Sequence, residues 1–203
     1  MADLAHLAAE KYAGKRALMF KDGDEWRDVS YAELGRVVDE VGRGLIDVGL
    51  EHGDKVSILS NTRPEWTYAH LAILSAGTVS VSIYQTNSPE ECHHVLRHSE
   101  SRAVFVEDAE QLAKVREVEG DLPHLEHVIV FDPPAEGAEP GNAITLAELR
   151  ERGAARPESD LEARRDAVTR DDICITIYTS GTTGPPKGCL ISHGNYRDVT
   201  NMT

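Results

Sequence analysis

Ile173-Cys174-Ile175-Thr176-Ile177-Tyr178-Thr179-Ser180-Gly181-Thr182-Thr183-Gly184-Pro185-Pro186-Lys187-Gly188 is the stretch whose reading decides the fold. Its first six residues are mostly β-branched or aromatic and alternate, the pattern of a strand. They feed directly into a segment too rich in glycine and hydroxyls to make a core. Gly181, Gly184 and Gly188 let the backbone turn and approach a ligand closely. Successive N–H groups in such a turn form an anion-binding concavity. Thr179, Ser180, Thr182 and Thr183 add neutral donors that can also approach a metal. Pro185 and Pro186 stiffen the exit, and Lys187 supplies a point charge suited to phosphate oxygens. Residues 178–188 therefore read as a phosphate-binding loop. A Walker A loop is disfavoured by spacing, because two prolines separate Gly184 from Lys187 and Gly188 follows the lysine. The bland reading, a Ser/Thr/Gly linker, needs neither the strand before the segment nor the lysine after it.

Outward from this stretch, helix and strand signals alternate. Residues 31–48 read as an amphipathic helix, with Leu34, Val37, Val38, Val41, Leu45 and Val48 at helical spacing. Ser30 and Glu33 give a capping-box signature at its start, and Gly49 terminates it. Strands follow at residues 56–60, 79–84, 103–107 and 128–131. Helices are expected at residues 64–75, where Pro64 opens and Gly77 ends the segment, from Ser88-Pro89, and at 111–118. This alternation predicts an α/β fold with a mostly parallel sheet flanked by helices on both faces. Residues 17–20 and 26–29 read as a hairpin at a sheet edge. Residues 132–142 read as a surface loop, Thr145 and Glu148 as the cap of a short helix, and 153–166 as a charged connector. No internal repeat or defensible domain boundary is visible, and residues 195–203 read as the first turns of a helix.

The bulk properties narrow the function classes. A net charge of −14 argues against a general nucleic-acid binder, since phosphate backbones attract clustered Lys and Arg. It does not argue against a small anionic substrate, which a few N–H groups and one lysine can hold. The odd set Cys92, Cys174 and Cys189 fits no zinc or redox spacing, so a reduced, cytoplasmic chain is the simplest reading. The first residues carry Asp3, His6 and Glu10 rather than the apolar core of a signal peptide. No apolar run is long enough to span a membrane, which leaves peripheral membrane contact open.

Tyr178-Thr179-Ser180-Gly181-Thr182-Thr183-Gly184-Pro185-Pro186-Lys187-Gly188 resembles the signature of the adenylate-forming superfamily of acyl-CoA synthetases, luciferases and peptide-synthetase adenylation domains. Val29-Ser30-Tyr31-Ala32-Glu33-Leu34 is similar to the early Thr-Tyr-x-Glu-Leu element of that superfamily. Leu74-Ser75-Ala76-Gly77 through Ile83-Tyr84 resembles its Ala-Gly segment. All three stand in family order, so the resemblance covers nearly the whole chain. Ser82-Ile83-Tyr84-Gln85-Thr86-Asn87-Ser88-Pro89-Glu90-Glu91 and His193-Gly194-Asn195 resemble bacterial long-chain fatty acyl-CoA synthetases. Ser82 departs from the family where many members have Pro, and Cys189 where a small aliphatic residue is usual.

The resemblance implies a two-step reaction, with ATP, a carboxylic acid and coenzyme A as partners and Mg²⁺ nearby. The acid, expected to be a long-chain fatty acid, attacks the α-phosphorus of ATP to give acyl-AMP, and the coenzyme A thiol then displaces AMP. Thr179, Ser180, Gly181, Thr182, Thr183, Gly184 and Lys187 are the implied holders of the β- and γ-phosphates, with Thr182 or Thr183 as the Mg²⁺ neighbour. The family's Tyr-Gly-x-Thr-Glu-like element, ribose-binding Asp and C-terminal Lys are not matched before Thr203. The chain thus reads as a truncated N-terminal portion of the large domain, and alone it is expected to be inactive and incompletely packed. Adenylation of an amino or aromatic acid, and a non-catalytic remnant, are the alternatives within this reading. A phosphotransferase with an unrelated glycine-rich loop would make ADP rather than AMP.

Other residues are weighed against structural roles. Cys92, His93, His94 and His98 invite a metal site, with His94 and His98 on one helix face, but no second ligand pair stands at a fitting spacing. His193 either approaches the substrate or starts a helix. Trp66 and Tyr68 read as packing residues.

Overall fold

The computed structural model describes residues 1–133, 141–179 and 185–201. Ser180, Gly181, Thr182, Thr183 and Gly184, five of the seven expected phosphate holders, and residues 134–140 of the expected surface loop therefore lie outside the described residues.

In chain order the elements are α1 (Leu4–Tyr12), β1 (Arg16–Asp22), β2 (Glu25–Ser30), α2 (Tyr31–Asp47), β3 (Lys55–Leu59), α3 (Pro64–Ser75), β4 (Val79–Ile83), α4 (Pro89–Ser99), β5 (Ser101–Val106), α5 (Ala109–Val118), β6 (His127–Val130), β7 (Ile144–Thr145), α6 (Leu146–Ala155), α7 (Glu158–Ala167), β8 (Ile173–Thr179), β9 (Lys187–Ser192) and α8 (His193–Asn201). The large sheet has the order β7-β6-β5-β3-β4-β8-β9, parallel except for the antiparallel pair β8–β9.

Both faces of this sheet are covered, as a parallel sheet requires. Side-chain alternation along β3 shows how. Val56 and Ile58 join one core with Val38, Val41 and Leu45 of α2 and Ala69, Ala72 and Ile73 of α3. Leu59 joins the other core, with Val95 and Leu96 of α4 and Leu112 and Val115 of α5. The apolar stripe read on α2 is the buried one, and the helix starts where Ser30 Oγ accepts the Glu33 N–H at 3.1 Å. Gly49 and Gly77 both have positive φ, 88° and 71°, as their reading as helix terminators requires. Ser88–Glu91 and Thr145–Glu148 each form a complete capping box.

Four expectations need correction. The early hairpin is a separate two-stranded sheet packed on α2 through Ala17, Leu18, Phe20 and Val29, and it is not the edge of the large sheet. Residues 153–166 are not a connector: α6 runs to Ala155 and α7 occupies Glu158–Ala167. Gly153 sits inside α6 because α6 lies backbone-to-backbone on α2. A Cβ there would stand 1.8 Å from Glu40 O. In α7, Leu161 is buried against Gly42 of α2, and the buried Arg165 pairs with Asp39 at 2.9 Å. The one buried apolar side chain of α7 is too little for periodicity to detect. The third correction is β9, whose residues had been read as loop exit and beyond. The fourth is α1, which had no reading.

Candidate functional site

β3 and β4 are neighbours, yet their chains leave the sheet in opposite directions. After β3 the chain enters α3 on one face, and after β4 it enters α4 on the other. Such a switch point opens a crevice beyond the carboxyl ends of the strands, where ligands of open α/β sheets bind. Here the crevice is a cavity of about 640 Å³. Its walls are Ser60, Asn61 and Thr62 after β3, Tyr84 and Gln85 after β4, and Ile177 and Tyr178 at the end of β8, with Ser82 and Trp66 also lining it.

The β8–β9 hairpin brings the ends of the glycine-rich segment to this crevice. Thr179 and Lys187 are cross-strand partners, both exposed, and Tyr178 pairs with Gly188. Of the expected phosphate holders, these two are placed by the structure, and it brings them together. Residues 178–179 and 187–188 belong to strands, so the loop proper is shorter than the 178–188 reading. Gly188 has a role apart from ligand approach. A Cβ there would lie 2.9 Å from Thr176 Cγ2 and 3.4 Å from Tyr178 Cζ, so its absence leaves room for the Tyr178 ring.

Tyr178 is buried, and its hydroxyl and the His98 Nδ1 are 2.7 Å apart. Burial raises the phenol's pKa above its ordinary value, so it keeps its proton at neutral pH. His94 Nε2–H donates to the Pro186 carbonyl at 3.0 Å. These two histidines thus face the hairpin. Cys92 is instead buried in the core of α4, and burial pushes its thiol up to about 11. Among the described residues no three His, Cys, Asp or Glu side chains are grouped to hold a metal.

The β3–α3 wall is set by carboxylates that the sequence reading passed over. Glu107 Oε2 accepts from the Asn61 N–H at 2.6 Å and from Asn61 Nδ2 at 2.9 Å. Arg63 donates two bonds to Asp132, at 2.6 and 2.9 Å. Each sits one or two residues past a strand end, and that position was the available signal. Trp66 packs against the core as read and also lines the crevice, its ring stacked on His70 with centroids 5.0 Å apart. Tyr68 does pack in the core. His70 is buried, bonds Ser80 Oγ through Nδ1 at 2.9 Å, and is pushed down to about 4 by burial.

His193 is separated from the loop. It follows Ser192, the partner of Ile173, and so lies at the opposite end of β8 from Thr179. It opens α8, its backbone N–H donates to Asp172 O at 2.9 Å, and its buried ring is pushed down to about 4 by desolvation.

A doubly covered parallel sheet with a crevice at its switch point, lined by Tyr178 at the start of a glycine- and hydroxyl-rich stretch of sequence, defines an α/β domain of the nucleotide-binding kind. Solved structures agree. The anthranilate CoA ligase AuaEII bound to anthranoyl-AMP superposes with a TM-score of 0.81 at 26% identity, over 98% of this chain and 36% of that one. The acetoacetyl-CoA synthetase of Streptomyces lividans does so with 0.81 at 27%, over 95% and 30%. The chain belongs to the AMP-binding enzyme family, whose model matches residues 6–203. Among curated relatives, it is 36% identical over 190 residues to the long-chain-fatty-acid–CoA ligase ACSBG1 of Rattus norvegicus, covering 93% of this chain. It is 39% identical over 170 residues to the long-chain-fatty-acid–CoA ligase FadD15 of Mycobacterium bovis, covering 84% of this chain. The chain spans about a quarter of the length of these relatives, 26% and 27%.

Proposed function

We propose that this chain is the phosphate-gripping part of an ATP-dependent acid–thiol ligase acting on a long-chain fatty acid. The observation that carries the reading is the pairing of Thr179 with Lys187 across the hairpin, next in sequence to the crevice-lining Tyr178. It sets the lysine and the strand-end hydroxyl on either side of the segment Ser180 to Gly184. The choice of acid rests on the names of the curated relatives, which are long-chain-fatty-acid–CoA ligases.

In the first step a carboxylate oxygen of the acid attacks the α-phosphorus of ATP. The bond from that phosphorus to the bridging oxygen breaks, and pyrophosphate departs with the electron pair. Lys187 and the N–H groups of the segment stabilise the charge on the departing β- and γ-phosphates, and holding them also orients the α-phosphorus for in-line attack. Mg²⁺ enters as the chelate of the substrate ATP. Thr182 or Thr183 would be its neighbour on the protein, and the ion would offset charge on the phosphate oxygens. In the second step the sulfur of coenzyme A attacks the acyl carbonyl, and AMP leaves with the C–O bonding pair as the thiol loses its proton.

The test is product analysis with the polypeptide carrying this chain, Mg–ATP, palmitate and coenzyme A. The proposal expects AMP, pyrophosphate and palmitoyl-CoA, formed only when the acid is present. ADP and inorganic phosphate would overturn it in favour of a phosphotransferase, and AMP formed with amino or aromatic acids but not palmitate would move the substrate assignment.

A further inference from the structure

α4 spends two residues on a task that its own packing does not need. Its anchors in the core are Cys92, Val95 and Leu96. His94, half-buried, and His98, exposed, stand one turn apart and turn to the β8–β9 hairpin, with their rings stacked at 5.6 Å. The Tyr178 ring stands edge-on to both, at 6.3 Å from His94 and 5.6 Å from His98. Each histidine then makes one polar contact. His98 Nδ1 meets the Tyr178 hydroxyl on the entering strand, and His94 Nε2 meets the Pro186 carbonyl on the leaving side. A carbonyl can only accept, so the proton of His94 sits on Nε2. These contacts reach 80 and 92 residues along the chain and fall on the two flanks of the glycine-rich segment. α4 is itself fixed at its start by the Ser88–Glu91 capping box, just past the crevice residues Tyr84 and Gln85.

We propose that His94 and His98 are positioning residues that hold the Tyr178 and Pro186 flanks of the hairpin, and with them the paired Thr179 and Lys187, at the spacing in which a polyphosphate is bound. The inference rests on the phosphate-binding reading above and adds a brace from α4 that the loop motif does not contain. Side chains and strand ends that are fixed before a ligand arrives reduce the ordering cost of binding it.

The test is calorimetric titration of the chain with magnesium tripolyphosphate, which presents the phosphates without a nucleoside, well below the unfolding midpoint of each variant. His94→Leu and His98→Leu are each expected to weaken binding by about fivefold, the scale of one lost hydrogen bond. His94→Gln and His98→Asn, which keep a polar nitrogen near the lost one, stay within about twofold of wild type. Tyr178→Phe, which retains the ring and its packing, behaves as His98→Leu does. Leucine variants that bind as tightly as wild type, or Gln and Asn variants as weak as the leucine ones, would overturn the brace. Wild-type chain that does not bind tripolyphosphate overturns the phosphate reading itself, and that result is read before any variant is made.

Discussion

Lys187 and Gly188 stand side by side and do different work. Lys187 is exposed at a strand end, so its removal touches no core. Lys187→Ala is expected to weaken Mg–ATP binding by about tenfold or more, the scale of a charge-assisted contact, while moving stability by no more than about 0.5 kcal/mol. Titration calorimetry and urea unfolding check the two halves. Gly188→Ala reverses the pattern. The added methyl meets Thr176 Cγ2 at 2.9 Å and the Tyr178 ring at 3.4 Å, so stability falls by about 1–2 kcal/mol in urea unfolding. His70 gives a pH dependence. Its folded pKa of about 4 lies below the unfolded value, so between the two the unfolded chain binds more protons and stability falls as pH falls. The contribution is whole above about pH 6.5, is lost progressively towards pH 4 and changes little below that. Comparing unfolding at pH 7.5 and 4.5, His70→Phe should shrink the difference by about 2–3 kcal/mol.

At the scale of elements, legibility followed the number of apolar anchors. α2 presents a full stripe, with Leu34, Val37, Val38, Val41 and Leu45 all buried, and α3 has Pro64 and Gly77 as punctuation, so both could be read. α7 has Leu161 as its one buried apolar side chain and is otherwise fastened by polar bonds, Arg165 to Asp39 and Arg156 to Asp160 at 2.7 Å. Polar fastening carries no periodicity, and α7 was read as a connector. The consequence is testable, since Leu161→Ala should cost about 2–4 kcal/mol by urea unfolding, far above the effect expected in a connector. β9 escaped for another reason. Lys187, Gly188 and Cys189 look like the end of a loop, and only pairing with β8 makes them a strand. Thr179 and Lys187 could be named as candidates from sequence because both lie in one segment, and the structure pairs them. What depends on topology was not legible: Asn61 and Gln85 line one crevice because β3 and β4 end there, and Glu107 after β5 holds Asn61 in place.

At the scale of the molecule, a chain of net charge −14 carries at its expected anion site the single exposed lysine Lys187 on β9. Family membership covers residues 6–203, while the relatives it matches are about four times longer. Leu190 on the edge strand β9 is 62% exposed and Val199 on α8 is 63% exposed. The central claim is that the paired strand ends Thr179 and Lys187 present a triphosphate grip at the switch-point crevice. Amide chemical-shift mapping of the isotopically labelled chain with Mg–ATP, set against AMP, tests it most directly. The account predicts shifts at Thr179, Lys187 and Gly188 with Mg–ATP that AMP does not reproduce. Shifts confined to the far end of β8, around Arg170 and His193, or identical responses to the two nucleotides, would contradict it.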